Sequence, residues 1–155
     1  MTGLAGFHHV SVVTTDLERL ADFYREVFDA PVVLESSDDS GLRSSVIDVG
    51  GGGFLHAHEA LGRSPLAGRP RYERGPVDHV ALHAPTREVF LEYRRRAMEA
   101  GATDGRVRDF GAAWELKFRD PDGTEGDLTW PAPHFPHGAV GHYEDAPILP
   151  WSDTG

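Results

Sequence analysis

Hydrophobic and polar residues alternate in the same way along two stretches of the chain that begin seventy residues apart. In residues 7–14 the alternation places His9, Ser11 and Val13 on one face, and residues 77–84 form a similar run around His79. Apolar residues at helical spacing follow each stretch. The pattern therefore predicts a strand and then a helix at the start of each half of the chain.

Capping signals suggest where these two helices begin and end. Thr15-Asp16-Leu17-Glu18 fits a capping box with Thr15 as the N-cap, and Pro31 is expected to end the first helix. Thr86 is the expected N-cap of the second helix, and Gly101 lies where a left-handed C-terminal cap is expected. The basic run at 94–96 is interpreted as the solvated face of the second helix.

Three further strands are predicted in each half, so the order strand, helix, strand, strand, strand occurs twice. Glycines 50–53 and the segment Asp120-Pro121-Asp122-Gly123 are turn signals between strands. The repeat predicts an α+β fold of two βαβββ modules that form a curved sheet around a shared cavity. The remaining strands are expected at 31–36, 43–49, 53–59, 105–110, 113–119 and 124–130.

The length and composition predict a single domain over residues 1–155. Within it we expect module one at 6–60, a linker at 61–76, module two at 77–130, and a tail rich in proline and histidine at 131–155.

Charge and composition narrow the classes of function. The formal net charge of −10 argues against nucleic acid or an anionic membrane as the main partner. The absence of cysteine excludes disulfides, cysteine metal sites and thiol catalysis. Because no signal peptide or membrane span is evident, the expected location is the cytoplasm.

Several motifs resemble the vicinal oxygen chelate superfamily, which includes glyoxalase I, fosfomycin-resistance proteins, extradiol dioxygenases and bleomycin-resistance proteins. The resemblance covers residues 6–130. It implies a glyoxalase-like fold, a small-molecule substrate and a homodimer. The motifs that carry it are His9-Val10 with Asp16-Leu17-Glu18 and Phe23-Tyr24, then Asp78-His79-Val80, and Asp120-Pro121-Asp122-Gly123 followed by Asp127-Leu128.

The resemblance implies that His9, His79 and Asp127 bind one divalent metal ion: Fe, Mn, Ni, Zn or Co. Asp127 departs from the family pattern, which usually has a glutamate at this position, and Glu125 is the alternative carboxylate ligand. His56 best matches a fourth ligand position, although a polar pocket wall is the competing interpretation.

Five further residues are candidate substrate contacts: His58, His83, Trp114, Glu115 and Lys117. Three of them have a simpler interpretation. His83 is equally well explained as an exposed histidine at a strand end, and Glu115 and Lys117 as a solvent-facing charged pair. His134, His137 and His142 favour a fortuitous surface cluster over a second metal site. No catalytic residue is predicted.

Two functions from different classes follow. The first is a divalent-metal-dependent enzyme, a dioxygenase or a lyase/isomerase, whose substrate chelates the metal through adjacent oxygens. The alternative is a metal-free protein of the bleomycin-resistance type that binds an antibiotic or another ligand. Its groove would be lined by aromatic side chains, with Trp114, Phe118, Trp130, Phe135 and Tyr143 as candidates.

Overall fold

The computed structural model describes residues 7–39, 41–60, 79–111, 113–131 and 146–150, and these form two βαβββ modules of an α+β fold. The chain divides into two compact units, Met1–Ala67 and Gly68–Gly155. The predicted order of elements is confirmed in both modules. The elements are β1 (His9–Thr14), α1 (Leu17–Phe28), β2 (Val32–Ser37), β3 (Arg43–Asp48), β4 (Phe54–Glu59), β5 (Val80–His83), α2 (Arg87–Glu99), β6 (Val107–Asp109), β7 (Ala113–Arg119) and β8 (Glu125–Pro131).

The first module is a mixed four-stranded sheet in the order β1-β4-β3-β2. The pair β1–β4 is parallel and the other pairs are antiparallel. Ile47 and Leu55 are buried on the side where apolar residues of α1, including Leu20 and Val27, form the core. On the other side His9 is exposed, as the alternation in β1 predicts.

The second module repeats this arrangement with the order β5-β8-β7-β6. Its core contains Leu116 and Leu128, which are cross-strand partners, together with Phe90 of α2. The turn at 120–123 joins β7 to β8 as predicted. In it the Gly123 amide donates to the Asp120 carbonyl at 2.9 Å, and Gly123 has a positive φ of 83°.

The helix ends test the predicted caps. The N-cap of α1 is Asp16, whose side chain accepts from the Arg19 amide, so the prediction of Thr15 is wrong by one position. Aspartate caps a helix as well as threonine or better, so the Thr15-Asp16 pair does not by itself identify the N-cap. Thr86 is the N-cap of α2, as predicted.

The end of α2 follows the Schellman pattern. The Gly101 amide donates to the Met98 carbonyl and the Ala102 amide donates to the Ala97 carbonyl, with Gly101 at a φ of 70°. The prediction of a left-handed cap at Gly101 is confirmed. Neither described helix is long and apolar enough to span a membrane.

One basic residue of α2 contradicts the prediction that the run at 94–96 is solvated. Arg94 is 4% exposed, and its Nε donates to the Gly105 carbonyl at 2.8 Å. Arg95 is exposed and pairs with Glu92 and Glu99. Helical spacing places Arg94 on the buried side of α2, between Phe90 and Ala97. Its aliphatic stem is therefore buried, while its guanidinium group reaches a loop carbonyl.

The end of the described chain lies along the free edge of β6. The Leu149 amide donates to the Val107 carbonyl at 2.9 Å, and the Asp109 amide donates to the Pro147 carbonyl at the same distance. Part of the predicted tail therefore pairs with the second sheet, where it covers an edge that would otherwise leave backbone groups without a strand partner.

Candidate functional site

The second module has a polar sheet face on the side opposite to its apolar core. Alternation and register place Lys117 of β7 directly across from Asp127 of β8, and Arg119 across from Glu125. We call this surface the polar face. It carries His79, His83, Glu115, Lys117, Glu125 and Asp127.

His79 and Asp127 meet on the polar face. His79 Nε2 lies 3.1 Å from Asp127 Oδ2, and the aspartate side chain is completely buried while the histidine side chain is 27% exposed. The contact forms because β5 and β8 are parallel neighbours, with Ala81 paired to Asp127. The structure thus brings together the two residues of this module that the sequence resemblance singles out.

Lys117 joins Asp127 to Glu125. Its Nζ lies 3.5 Å from Asp127 Oδ1 and 3.5 Å from Glu125 Oε1. Glu125 is 8% exposed, so both candidate carboxylates are buried beside one ammonium group. The interpretation of Lys117 as a solvent-facing residue is therefore wrong, since burial and ion pairing hold this side chain on the sheet.

Sequence reasoning missed this ammonium bridge, although a signal for it was present. A short turn at 120–124 fixes the register of the hairpin, and counting outwards from the turn pairs Arg119 with Glu125 and Lys117 with Asp127. Opposite charges at directly opposed positions attract each other.

The first module presents three histidines on its open sheet face. His9 of β1 and His56 of β4 have ring centroids 5.8 Å apart, and those of His56 and His58 are 4.1 Å apart. The parallel pairing of Ser11 with His56 places these rings on one face. His56 and His58 are two residues apart on β4, and His9 is two residues before Ser11, the partner of His56 on β1. A spacing of two keeps side chains on one side of a sheet.

The surroundings of His56 favour its neutral form. Partial burial lowers its pKa below the ordinary value, and the positive charge that His58 or His9 would carry lowers the pKa further. A neutral imidazole is the form that binds metal ions.

The other predicted substrate contacts do not share one surface. His83 is exposed at the end of β5 on the polar face, and Glu115 is half-buried on the same face. Trp114 lies on the opposite face, where its ring contacts Phe90 of α2 and Trp130 with centroid distances of 6.1 and 4.9 Å.

The described aromatic residues considered for a ligand-binding groove lie on the core side of the second sheet, with Phe118 buried and Trp114 and Trp130 half-buried. Phe118 is 2% exposed and, like Trp114 and Trp130, lies on the helix-facing side of the second sheet. Phe135, Tyr143, His134, His137, His142 and Asp78 lie outside the described residues.

The geometry of His79 and Asp127 fits two adjacent ligands of one metal ion. Two donors bound about 2.1 Å from an ion at roughly a right angle lie about 3.0 Å apart, close to the observed 3.1 Å. An imidazole and a carboxylate suit the divalent ions from manganese to zinc. Within the described segments, no group of three or more histidine and acidic side chains is arranged to hold a metal ion.

A cavity of about 410 Å³ reaches the polar face from the side of β6. Lys117 and Glu125 line one part of it, and Arg106, Arg108 and Arg119 line another. The described lining of the cavity thus includes Lys117 and Glu125 but not Asp127.

Comparison with known proteins agrees with this architecture. The model of the Glyoxalase/Bleomycin resistance protein/Dioxygenase superfamily matches residues 6–127. None of the curated proteins compared with the chain matches it.

Three solved structures illustrate the likeness, which at these identities concerns the fold alone. A glyoxylase/bleomycin resistance protein/dioxygenase domain from Frankia sp. EAN1pec is 22% identical, with a TM-score of 0.70 over 84% of this chain and 95% of that one. The fosfomycin resistance protein FosX from Listeria monocytogenes, solved with Mn(II) and sulfate, is 19% identical, with a TM-score of 0.63 over 85% and 97%. A glyoxalase family protein from Enterococcus faecalis is 22% identical, with a TM-score of 0.62 over 83% and 99%.

Proposed function

Because the chain belongs to the Glyoxalase/Bleomycin resistance protein/Dioxygenase superfamily, we propose that it is a divalent-metal-dependent enzyme acting on a small molecule with two adjacent oxygens. The observation that carries the proposal is the contact between His79 and the buried carboxylate of Asp127. An aspartate with no exposed surface needs a cation or strong donors to stay ionised, and a metal ion is one such cation.

The proposed ligands are His79 and Asp127 from the second module and His9 from the first, with His56 available as a fourth. The assignment of His9 and His56 to the same ion rests on the family pattern. Within the first module, His9 and His56 lie on one sheet face with ring centroids 5.8 Å apart. The Mn(II) in the FosX structure is consistent with a metal in this fold.

When bound, the metal would act as a Lewis acid towards the two substrate oxygens. The chain's own residues have separate roles. Asp127 supplies negative charge from a water-excluded position, while His79 holds one edge of the site through Nε2. His58, His83, Glu115 and Lys117 are proposed to contact the substrate, and a dioxygenase and a lyase/isomerase reaction both fit this set.

Substitution of the ligands one at a time tests the proposal. We expect Asp127→Ala and His79→Ala to weaken Mn(II) binding at least about tenfold in calorimetric titrations, because each removes a donor to the ion. Glu125→Ala is the matched comparison, since it removes a neighbouring carboxylate from the same strand but no proposed donor, and it should weaken binding less than either of the other two. Loss of binding in Glu125→Ala with retention in Asp127→Ala would show that the ligand assignment is wrong.

The metal-free alternative also has an observation in its favour. Lys117 already supplies a positive charge to both carboxylates, as a protein that never binds a metal would require. Such a protein would bind its small-molecule ligand equally well before and after removal of metal by a chelator. A loss of ligand binding on chelation, restored by the metal, would favour the enzyme.

A homodimer and a cytoplasmic location are further proposals taken from the resemblance and the composition. Sedimentation at micromolar concentration tests the first, and a species with the mass of one chain would contradict it.

A further inference from the structure

Lys117 holds an unusual position beside the proposed metal ligands. It stands directly across from Asp127 in the β7–β8 register, and its ammonium is equally distant from Asp127 and Glu125, at 3.5 Å. Its backbone is also fixed, because the Thr103 hydroxyl donates to the Lys117 carbonyl at 2.5 Å. The strand therefore fixes the Lys117 backbone, and the two carboxylates hold the ammonium between them.

The two oxygens of Asp127 face different partners. Oδ2 lies against His79 and Oδ1 against Lys117. A divalent ion bound next to His79 would therefore find one oxygen of Asp127 on its own side, with the other already engaged by a positive charge. Glu125 is turned towards the same ammonium through Oε1.

Charge explains what this arrangement does. The two carboxylates and one ammonium sum to −1 when all are ionised, whereas two carboxylates alone would offer −2. A positive charge that is buried beside a metal site repels the bound cation far more strongly than a positive charge that is surrounded by water. We propose that Lys117 is a built-in cation that sets the affinity of the metal site and keeps Glu125 from becoming a ligand.

The inference rests on the proposed metal site, and it adds a positioning and specificity role for a residue that is not itself a ligand. A site whose ligands are one carboxylate oxygen and imidazole nitrogens suits ions from manganese to zinc. With Lys117 removed, the additional carboxylate oxygens would also suit calcium, which takes six to eight oxygen ligands.

The test measures metal affinity directly. We expect Lys117→Met to bind Mn(II) at least about tenfold more tightly than wild type in calorimetric titrations, since it removes a neighbouring positive charge. Millimolar calcium is expected to compete with Mn(II) in the variant and not in the wild type. Lys117→Arg keeps the charge and should stay within about threefold of wild-type affinity.

The double substitution Lys117→Met with Glu125→Gln removes one charge of each sign and guards against poor folding of the single variant. It should bind Mn(II) less tightly than Lys117→Met, because the freed carboxylate is absent. Binding by Lys117→Met that equals or falls below that of wild type would overturn the inference and indicate that Lys117 only orients Asp127. A wild-type protein that binds no metal would instead overturn the proposed function.

Discussion

Asp120 shows how a single turn residue can make stability depend on pH. The residue is 7% exposed, and its Oδ1 accepts from the amides of Asp122 and Thr124. Burial raises its pKa to about 6, with a further contribution from the nearby Asp122 charge, although the two amide hydrogen bonds act in the opposite direction. The folded state therefore holds a proton more tightly than the unfolded chain does.

We predict that Asp120→Asn changes the pH dependence of unfolding. The folded pKa is raised, so the stabilisation from the protonated acid is fully present below pH 3.8, decreases between pH 3.8 and about 6, and is absent above it. Asparagine keeps the accepting oxygen without titrating. The free energy of unfolding of the variant relative to wild type should rise by roughly 2 kcal/mol from pH 4 to pH 7 in urea titrations. Parallel pH profiles for the two proteins would contradict the prediction.

Arg94 shows a limit of sequence patterns at the residue scale. A run of three arginines in a helix indicates solvent exposure, yet Arg94 is buried and donates to the Gly105 carbonyl. Local spacing identifies which side of the helix a residue occupies. It does not show that a loop carbonyl on that side accepts a hydrogen bond from the side chain.

We predict that Arg94→Ala lowers the free energy of unfolding by about 2 kcal/mol, because a buried carbonyl loses its donor and the core loses the arginine stem. Arg95→Ala is the matched control from the next position. Its exposed pairs with Glu92 and Glu99 should contribute less than about 1 kcal/mol. Equal effects of the two substitutions in urea denaturation would show that burial of Arg94 does not matter.

At the scale of elements, the pairing of β7 with β8 determines which charged groups meet. The strands were predictable from the alternation of apolar and polar residues, and the turn at 120–123 from its turn-forming residues. The register follows from the turn. The burial of Lys117 between two carboxylates was not predicted, because alternation gave a polar face without showing whether solvent reached it.

Gly126 is a specific requirement of this pairing. It lies across from Phe118, and a Cβ built on Gly126 would overlap the Phe118 ring. We expect Gly126→Ala to destabilise the protein by about 1–3 kcal/mol, since the buried ring must move. Gly53→Ala is a suitable control, because a Cβ there makes only ordinary contacts. If thermal unfolding shows similar effects for both alanines, the close approach of Phe118 is not the cause.

At the scale of the whole molecule, the repeat of βαβββ units was the most predictable property. Each unit carries its own helix caps, turns and alternation, so the sequence specifies the architecture twice. The resemblance singled out His79 and Asp127 as ligands of one metal ion; their side chains lie 3.1 Å apart, and their role as ligands stays a prediction. The assignment of His9 to the same ion is a proposal taken from the resemblance.

The metal content of the protein tests whether it binds one divalent ion through His79 and Asp127. The full chain would be reconstituted separately with Fe, Mn, Ni, Co and Zn, desalted and measured by elemental analysis, with His79→Ala as the control. We predict about one equivalent of at least one metal in the wild type and a marked loss in the variant. Less than about a tenth of an equivalent of every metal in the wild type would rule out the proposed metal site.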